Sequence, residues 1–258
     1  MKNEILSKCK LNKEDTLLLA YVLDKYEMCL NKNFQTATYF LDLRQQGIIK
    51  NIAKEFKVNY SFSGGFDDAE RKLLYFIPDY LDEADTTDIK IVEATHSGHK
   101  SLSHRDYLGS VLSLGLKRES IGDIIVNGNT AQIITTEKMA EFLKNNYIKA
   151  GHVPLSCEIK PISEITLAEK KVKLITDTVM SLRLDSVVSS CFSISRTVAA
   201  QNISAGKVFL NDTEMLKCDK QVSENDKIIL RGKGKAILKN IAGTSKKGRI
   251  WIEIERYI

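Results

Sequence analysis

Hydrophobic and polar positions divide the chain into runs of contrasting period. Residues 3–31 repeat their apolar side chains at helical spacing, most densely over DTLLLAYVLDKYEMCL. Asn12 is a candidate cap there, and Asp15 falls in the first turn. Leu41 to Phe56 reads as a further helix whose apolar face is Ile48, Ile49, Ile52 and Phe56. Val58 to Phe62 then alternates as a strand, Gly64-Gly65 marks a turn, and Leu73 to Ile77 is a second strand closed by Pro78. These elements predict an α+β unit over residues 1–82, bounded by the acidic stretch Asp79 to Asp88.

Beyond that stretch the pattern becomes regular. Ile89 to Ala94 reads as a strand, and Ser103 to Leu114 as a helix with Leu108, Val111 and Leu112 turned inward. Ser103 and Asp106 have the spacing of a capping box, with Asp in place of Glu. Asp123 to Val126 and Ala131 to Thr135 flank Asn127-Gly128, a strong hairpin signal. A helix over Thr136 to Tyr147 and a strand over His152 to Ile159 complete the order βαββαβ. That order predicts a ferredoxin-like domain over residues 83–162, the architecture that RNA-recognition motifs use. The aromatic signature with which such motifs stack bases is missing, so the pattern predicts a fold and no stacking platform.

Residues 160–182 read as a helical connector, with Ile165, Leu167 and Ala168 ahead of the charged run Glu169-Lys170-Lys171. Then Leu184, Val187 and Val188 fall at i, i+3, i+4 on a short helix. A second helix, capped by Ser193 or Ser195, has Val198, Ala199 and Ile203 as its apolar face. Gly206 sits where a helix C-terminus wants a left-handed residue, and Val208 to Leu210 is β-prone. Three more strands follow at Lys227 to Leu230, Ala236 to Ile241 and Arg249 to Ile254, with Trp251 expected half-buried. They are joined by the basic turns RGKGK (Arg231–Lys235) and TSKKG (Thr244–Gly248).

Charge sharpens this division. The whole chain carries a formal +5, which is modest. From Arg183 to Ile258 there are 14 Lys+Arg against 8 Asp+Glu, a net of +6, so residues 1–182 carry −1. The excess sits where a polyanion partner would need it. The five cysteines are scattered without a C-x-x-C pair, which fits a reducing cytoplasm, with Cys29 and Cys191 as core thiols. No apolar run approaches the length of a membrane span, and no signal peptide is apparent. His96, His99 and His104 lack the spacing and companions of a metal site. Gly243 to Gly248 has the gap of a P-loop, but Arg249 stands where its lysine belongs, and the Ser-rich run Val187–Ser195 holds no nucleophile elbow. The expectation is no metal, no cofactor and no catalytic residue.

The stretch RLDSVVSSCFSISRTVAAQNISAGKVFLN (Arg183–Asn211) brings several of these features together. Arg183-Leu184-Asp185, Ser195-Arg196, Ala199, Ile203, Ala205-Gly206-Lys207-Val208 and Asn211 resemble the S4 RNA-binding domain, the small module found in ribosomal protein S4, several pseudouridine synthases and tyrosyl-tRNA synthetase. VSENDKII (Val222–Ile229) resembles its closing stretch, with Asn225 for the usual glycine, a mild departure because Asn tolerates left-handed backbone. The resemblance implies an αL-type RNA-binding domain over residues 181–258. It assigns RNA contacts to Arg183, Ser195, Arg196, Gln201, Lys207 and Asn211, to which Arg231 and Lys233 of the first basic turn add phosphate contacts. Ser195 is the more natural helix cap, Thr197-Val198 stand where relatives often carry another base, and Arg183 either meets phosphate or pairs with an acid such as Asp185.

The run SHRDYLGSVLSLGLKRESIGDIIV (Ser103–Val126), with FLDLRQQ at Phe40–Gln46 and the C-terminal module, resembles the YlmH family of bacterial S4-domain proteins along essentially the whole chain. That resemblance implies a cytoplasmic, monomeric, non-catalytic protein that grips ribosomal RNA and tRNA on the large ribosomal subunit, in ribosome-associated quality control. Membranes are not implied as a partner. The family is encoded among cell-division genes. His104, Arg105, Lys117 and Arg118 in the shared run are either a second RNA contact or a capped helix with a solvated basic end. Two other classes stay open: an RNA-modifying enzyme with an unrecognised site in residues 1–160, and a scaffold for the division machinery. Pseudouridine synthases usually carry the S4 module in front of a large catalytic domain, whereas here it comes last, and the nucleotide-binding motifs of tyrosyl-tRNA synthetases have no counterpart upstream.

Overall fold

The computed structural model describes residues 2, 5–6, 11–98, 101–167, 172–245 and 247–257. By its internal contacts the chain forms two compact units, 1–168 and 169–258. The expected N-terminal helix is described as α1 (Lys13–Lys32), capped by Asn12, whose side chain accepts from the Asp15 amide at 2.9 Å. Residues 3, 4 and 7–10 of the expected helix, Cys9 among them, lie outside the described residues. The second helix is shorter than its periodicity suggests. α2 (Leu43–Ile52) ends in a 3-10 turn at Ala53–Glu55, and a capping box between Asp42 and Gln45 fixes its start.

α1 and α2 pack on a three-stranded antiparallel sheet of β1 (Thr36–Ala37), β2 (Asn59–Ser63) and β3 (Leu73–Ile77), in the order β1-β3-β2. β3 is buried on both faces. Leu74 and Phe76 join the helices, whereas Leu73 and Tyr75 face the other way.

What they face is the second sheet of the same unit. It is built from β4 (Ile89–Thr95), α3 (His104–Leu112), β5 (Ile121–Asn127), β6 (Thr130–Thr136), α4 (Glu137–Asn146), the small hairpin β7 (Lys149–Ala150) and β8 (Val153–Pro154), and β9 (Ser156–Pro161). The four long strands lie in the order β5-β6-β4-β9, all antiparallel, the split βαβ arrangement the element order anticipated. Val92, Ala94, Ala131 and Ile133 pack beneath Tyr107, Val111, Ala140 and Leu143 of α3 and α4. Ile89 and Ile134, on the opposite face, share a buried layer with Phe40, Leu73 and Tyr75. The unit is therefore layered helix, sheet, sheet, helix, and the expected boundary at 82/83 falls between two sheets that share an apolar interior.

Polar contacts close the same seam. The Arg71 guanidinium donates to the carbonyls of Phe40 (2.7 Å) and Ile121 (3.1 Å), and Asp123 accepts from the Glu70 amide at 2.7 Å. Gly122 lies here, where a Cβ would come within 2.9 Å of the Phe40 ring.

In the second unit a six-stranded sheet carries α5 (Leu184–Phe192) and α6 (Arg196–Ser204). Its order is β10-β15-β14-β13-β11-β12, from β10 (Val172–Val179), β11 (Val208–Leu210), β12 (Thr213–Glu214), β13 (Lys227–Leu230), β14 (Gly234–Thr244) and β15 (Ile250–Tyr257). β10 corrects the expected helical connector. Its β-branched residues pair in register with β15 from Val172↔Tyr257 to Val179↔Ile250, and the tertiary partner overrides any local helical bias. Before it only Ile162–Glu164 forms a 3-10 turn, while Ala168 and the run Glu169-Lys170-Lys171 lie outside the described residues.

Ser195, not Ser193, caps α6, accepting from the Val198 amide at 3.2 Å. Ser193 instead ends α5 in the left-handed conformation, φ 52°. Gly206 follows α6 at φ +66°, and that left-handed backbone demands glycine, whereas the nearest atom to a Cβ there is the movable carboxylate end of Glu214. Asn225 is left-handed at φ 65°, as its replacement of glycine implied. Trp251 is on the outer face of β15 and exposed rather than half-buried, because the inward alternation falls on Ile252 and Ile254. Lys246 of the second basic turn lies outside the described residues.

Candidate nucleic-acid interface

The C-terminal unit gathers part of its excess cationic charge at one carboxylate. Asp185, in the first turn of α5, has only 6% of its surface exposed. Arg196, the first residue of α6, donates to its Oδ2 at 2.8 Å. Arg183, the residue before α5, donates to both oxygens at 3.3 Å. Burial works against the charged carboxyl, but hydrogen bonds from Arg183 and Arg196, with their charges, outweigh it and hold the Asp185 pKa below the usual carboxylate value. The alternative left open for Arg183 is thus settled in part: it does pair with Asp185. The arginines remain outward, with side chains 38% and 54% exposed. Each guanidinium carries five donors and the carboxylate takes only some of them. Asp185 aims the pair without hiding it.

The amides at the start of α5 do not join in. Leu184 and Asp185 donate their backbone N–H to the carbonyls of Lys220 and Cys218, at 2.8 and 3.1 Å. An anion near Arg183 would meet side chains rather than the helix N-terminus.

A second cationic group lies past the other end of α6, whose nine residues span roughly 13 Å at 1.5 Å per residue. Lys207 is exposed beside β11, and its carbonyl accepts from the Arg231 amide at 2.9 Å, which brings the RGKGK turn alongside. The Arg231 guanidinium lies over the Phe209 ring, 4.9 Å from its centroid. Lys233 is exposed in the same turn, and Lys235 sits over Tyr257 at 4.5 Å. Phe209 was not singled out from sequence. Alternation gave the signal, since Val208 and Leu210 point into the core and Phe209 must face the other side of the sheet.

Gln201 is exposed on α6. Asn211 is used internally: its amide donates to Asp226 Oδ1 at 2.7 Å and its carbonyl oxygen accepts from the Lys227 amide at 2.9 Å. Asn211 itself is left-handed, φ 50°, and ties the turn between β11 and β12 to the start of β13. Ser195 is likewise committed as a cap.

Of the four candidate residues of the middle domain, three are exposed and one turns inward. His104 and Arg105 open α3 and are exposed. Lys117 is exposed, with Glu119 at 3.8 Å. Arg118 points inward, donating to the carbonyls of Ile121 (2.6 Å) and Gly122 (3.0 Å), and burial with the neighbouring Arg71 charge lowers its pKa to about 10. The reading of Lys117-Arg118 as the basic end of the helix is also corrected, because α3 ends at Leu112 and Arg118 starts a separate 3-10 turn. The expected absence of a metal site concerns His96, His99 and His104; His99 lies outside the described residues, and no cluster with metal-ligand character occurs among those described.

The face on which RNA-recognition motifs stack bases is covered here. At one end of the sheet Ile89 and Ile134 lie under Phe40, Leu73 and Tyr75, with Ile162 and Ile165 packed alongside. Across the middle, Gln132 donates to Glu93 and to the Glu164 carbonyl and accepts from the Thr166 amide, while Lys160 reaches Glu93 at 2.6 Å. Asn127 donates to the Thr166 carbonyl at 2.7 Å. The segment after β9 thus closes the platform.

Residues 84–164 match the family model described as "Putative RNA-binding domain in YlmH". Over 221 residues, 85% of this chain and 86% of the relative, the sequence is 32% identical to ribosome-associated protein quality control protein P2 of Bacillus subtilis (strain 168). The chain belongs to the YlmH family. The solved structure of the cell division protein ylmH from Streptococcus pneumoniae superposes with a TM-score of 0.52 at 26% identity, covering 62% of this chain and 98% of that one. Membership agrees with the mixed α and β architecture, and no described helix is long and apolar enough to cross a membrane.

Proposed function

We propose that this YlmH-family protein binds structured RNA on the ribosome without catalysing a reaction, in ribosome-associated quality control. Its C-terminal unit is read as an S4-type module that tracks the backbone of ribosomal RNA and tRNA on the large subunit, working as a cytoplasmic monomer. The observation that carries this reading is the pair Arg183 and Arg196, aimed by the buried Asp185 and open to solvent. Arginine forks bind phosphate bidentately, and a carboxylate behind them lowers the entropy lost when they do. Lys207, Arg231 and Lys233 extend the track past the far end of α6. The Bacillus relative's name, a ribosome-associated quality control protein, points the same way.

Sucrose-gradient co-sedimentation with ribosomes tests it, comparing wild type with Arg196→Ala/Lys207→Ala at low and moderate salt. Arg183 still neutralises Asp185 in that variant, so the fold should survive, as circular dichroism would check. Wild type should travel with the large subunit and leave it as salt rises. Loss of two phosphate contacts should lower the salt slope by about 1.4 to 1.8. A folded variant that sediments like wild type would defeat the cationic-track reading. If neither protein sediments, ribosome binding itself is wrong. The pneumococcal structure's cell-division name favours a division scaffold as the second reading, whose apolar contacts would resist salt.

A further inference from the structure

The covered sheet leaves the middle domain in need of another surface if it is to meet RNA. Over residues 84–164 the domain has 9 Lys+Arg against 10 Asp+Glu, so any attraction must come from placement rather than net charge. On the helical side, away from Phe40 and Tyr75, an open cleft of about 620 Å³ runs between α3, the end of α4 and the β7–β8 hairpin. That volume falls within the range of small-ligand sites, roughly 300–1,000 Å³.

Four features of its lining point to one ligand class. Arg105, Lys149 and His152 bring cationic or protonatable groups to the rim, all exposed. The carboxylate among the lining residues, Asp106, is held in the capping box by the Ser103 amide at 2.8 Å and hydroxyl at 2.7 Å. Ile148 lies in the wall with 66% of its surface exposed, apolar area offered to something flat. Gly109 lines the same cleft from the interior of α3, where glycine weakens a helix relative to alanine. No packing explains it, for a Cβ at Gly109 would meet no atom within 4 Å. The missing side chain instead leaves the wall open to close approach.

We propose that this cleft is a binding site for single-stranded RNA, taking a base against Gly109 and Ile148 while Arg105, Lys149 and His152 hold the flanking phosphates. The assignment rests on the RNA-binding reading above and moves the middle domain's contact from the sheet to the helices. It accounts for a fold that shares its topology with RNA-recognition motifs yet seals their usual platform. Unpaired bases suit such a site because each offers a planar face for contact and phosphates on either side.

The test uses the full chain and fluorescein-labelled 12-nucleotide oligouridine and oligoadenylate, read by fluorescence anisotropy. Two variants are compared with wild type: Gly109→Gln, which fills the cleft while favouring the helix, and Arg105→Ala/Lys149→Ala. Both should bind about tenfold more weakly, the scale of one lost base contact. Gly109→Gln should melt no lower than wild type, which separates occlusion from misfolding. Unchanged affinity in both, with loss in Arg196→Ala/Lys207→Ala, would overturn the cleft and leave the C-terminal reading standing. Ribosome co-sedimentation without any single-strand affinity in the wild type would also overturn it. If the cleft variants keep RNA affinity but no longer sediment with ribosomes, the cleft holds a ribosomal protein and the RNA assignment is wrong.

Discussion

Asp185→Asn separates the roles of the carboxylate and the arginines it orients. The substitution keeps the volume and the start of α5 but removes the charge that Arg196 meets at 2.8 Å and Arg183 at 3.3 Å. A hydrogen bond to a charged group is worth about 1.5–3 kcal/mol when shielded. The Arg196 side chain is 54% exposed, so solvent screening reduces its share to about 1 kcal/mol. An amide that turns its NH₂ toward a guanidinium adds a donor-donor conflict, giving about 1–2 kcal/mol in all. In a unit of this size that is roughly a 5–10 °C lower melting temperature.

The same link makes stability depend on pH. The Asp185 pKa is depressed on folding, so its contribution is full above the unfolded value near 3.8 and is lost as pH falls through the folded value. Wild type and Asp185→Asn should therefore differ in melting temperature at pH 7 and converge in strong acid. Calorimetry at pH 7, 5, 3 and 2 measures both effects. RNA affinity should fall less than in Arg196→Ala, since the arginines keep their charge and lose only their aim. A variant as stable as wild type at pH 7, or a gap that persists below the carboxylate range, would refute the account of Asp185 as an ionised anchor.

Other outcomes follow from the same structure. Gly122→Val should destabilise the first unit by about 1–3 kcal/mol in urea unfolding, because its side chain meets the Phe40 ring inside a layer with no room to move. Ser195→Ala removes the α6 cap and should cost about 1 kcal/mol in thermal melts, with Ser193→Ala as a contrast whose hydroxyl caps nothing. Asn225→Ala places an alanine at φ 65° and should lower stability by about 1 kcal/mol, which Asn225→Gly should not do.

Much of this protein was determined by sequence alone, where a local pattern had one physical solution. Period and turn chemistry located α1, the β5–β6 hairpin at Asn127-Gly128 and the order βαββαβ. Gly206 and Asn225 declared left-handed backbone because few residues tolerate it. The concentration of charge after Arg183 and the spacing of Arg183, Arg196 and Lys207 mark the cationic unit.

Only tertiary structure decided how those side chains are used. Spacing offered Asp185 as a partner for Arg183, but not that Arg196 joins it, that Arg118 turns inward, or that Asn211 is taken by Asp226 and Lys227, since each depends on residues brought together by the fold. β10 looked like a helix because its partner strand lies at the other end of the unit. The closure of the middle sheet by Phe40, Leu73 and Tyr75 was equally invisible, because alternation reports that a face is apolar and not what covers it. Local pattern fixes which backbone a segment adopts; distant residues choose which polar groups remain for a partner.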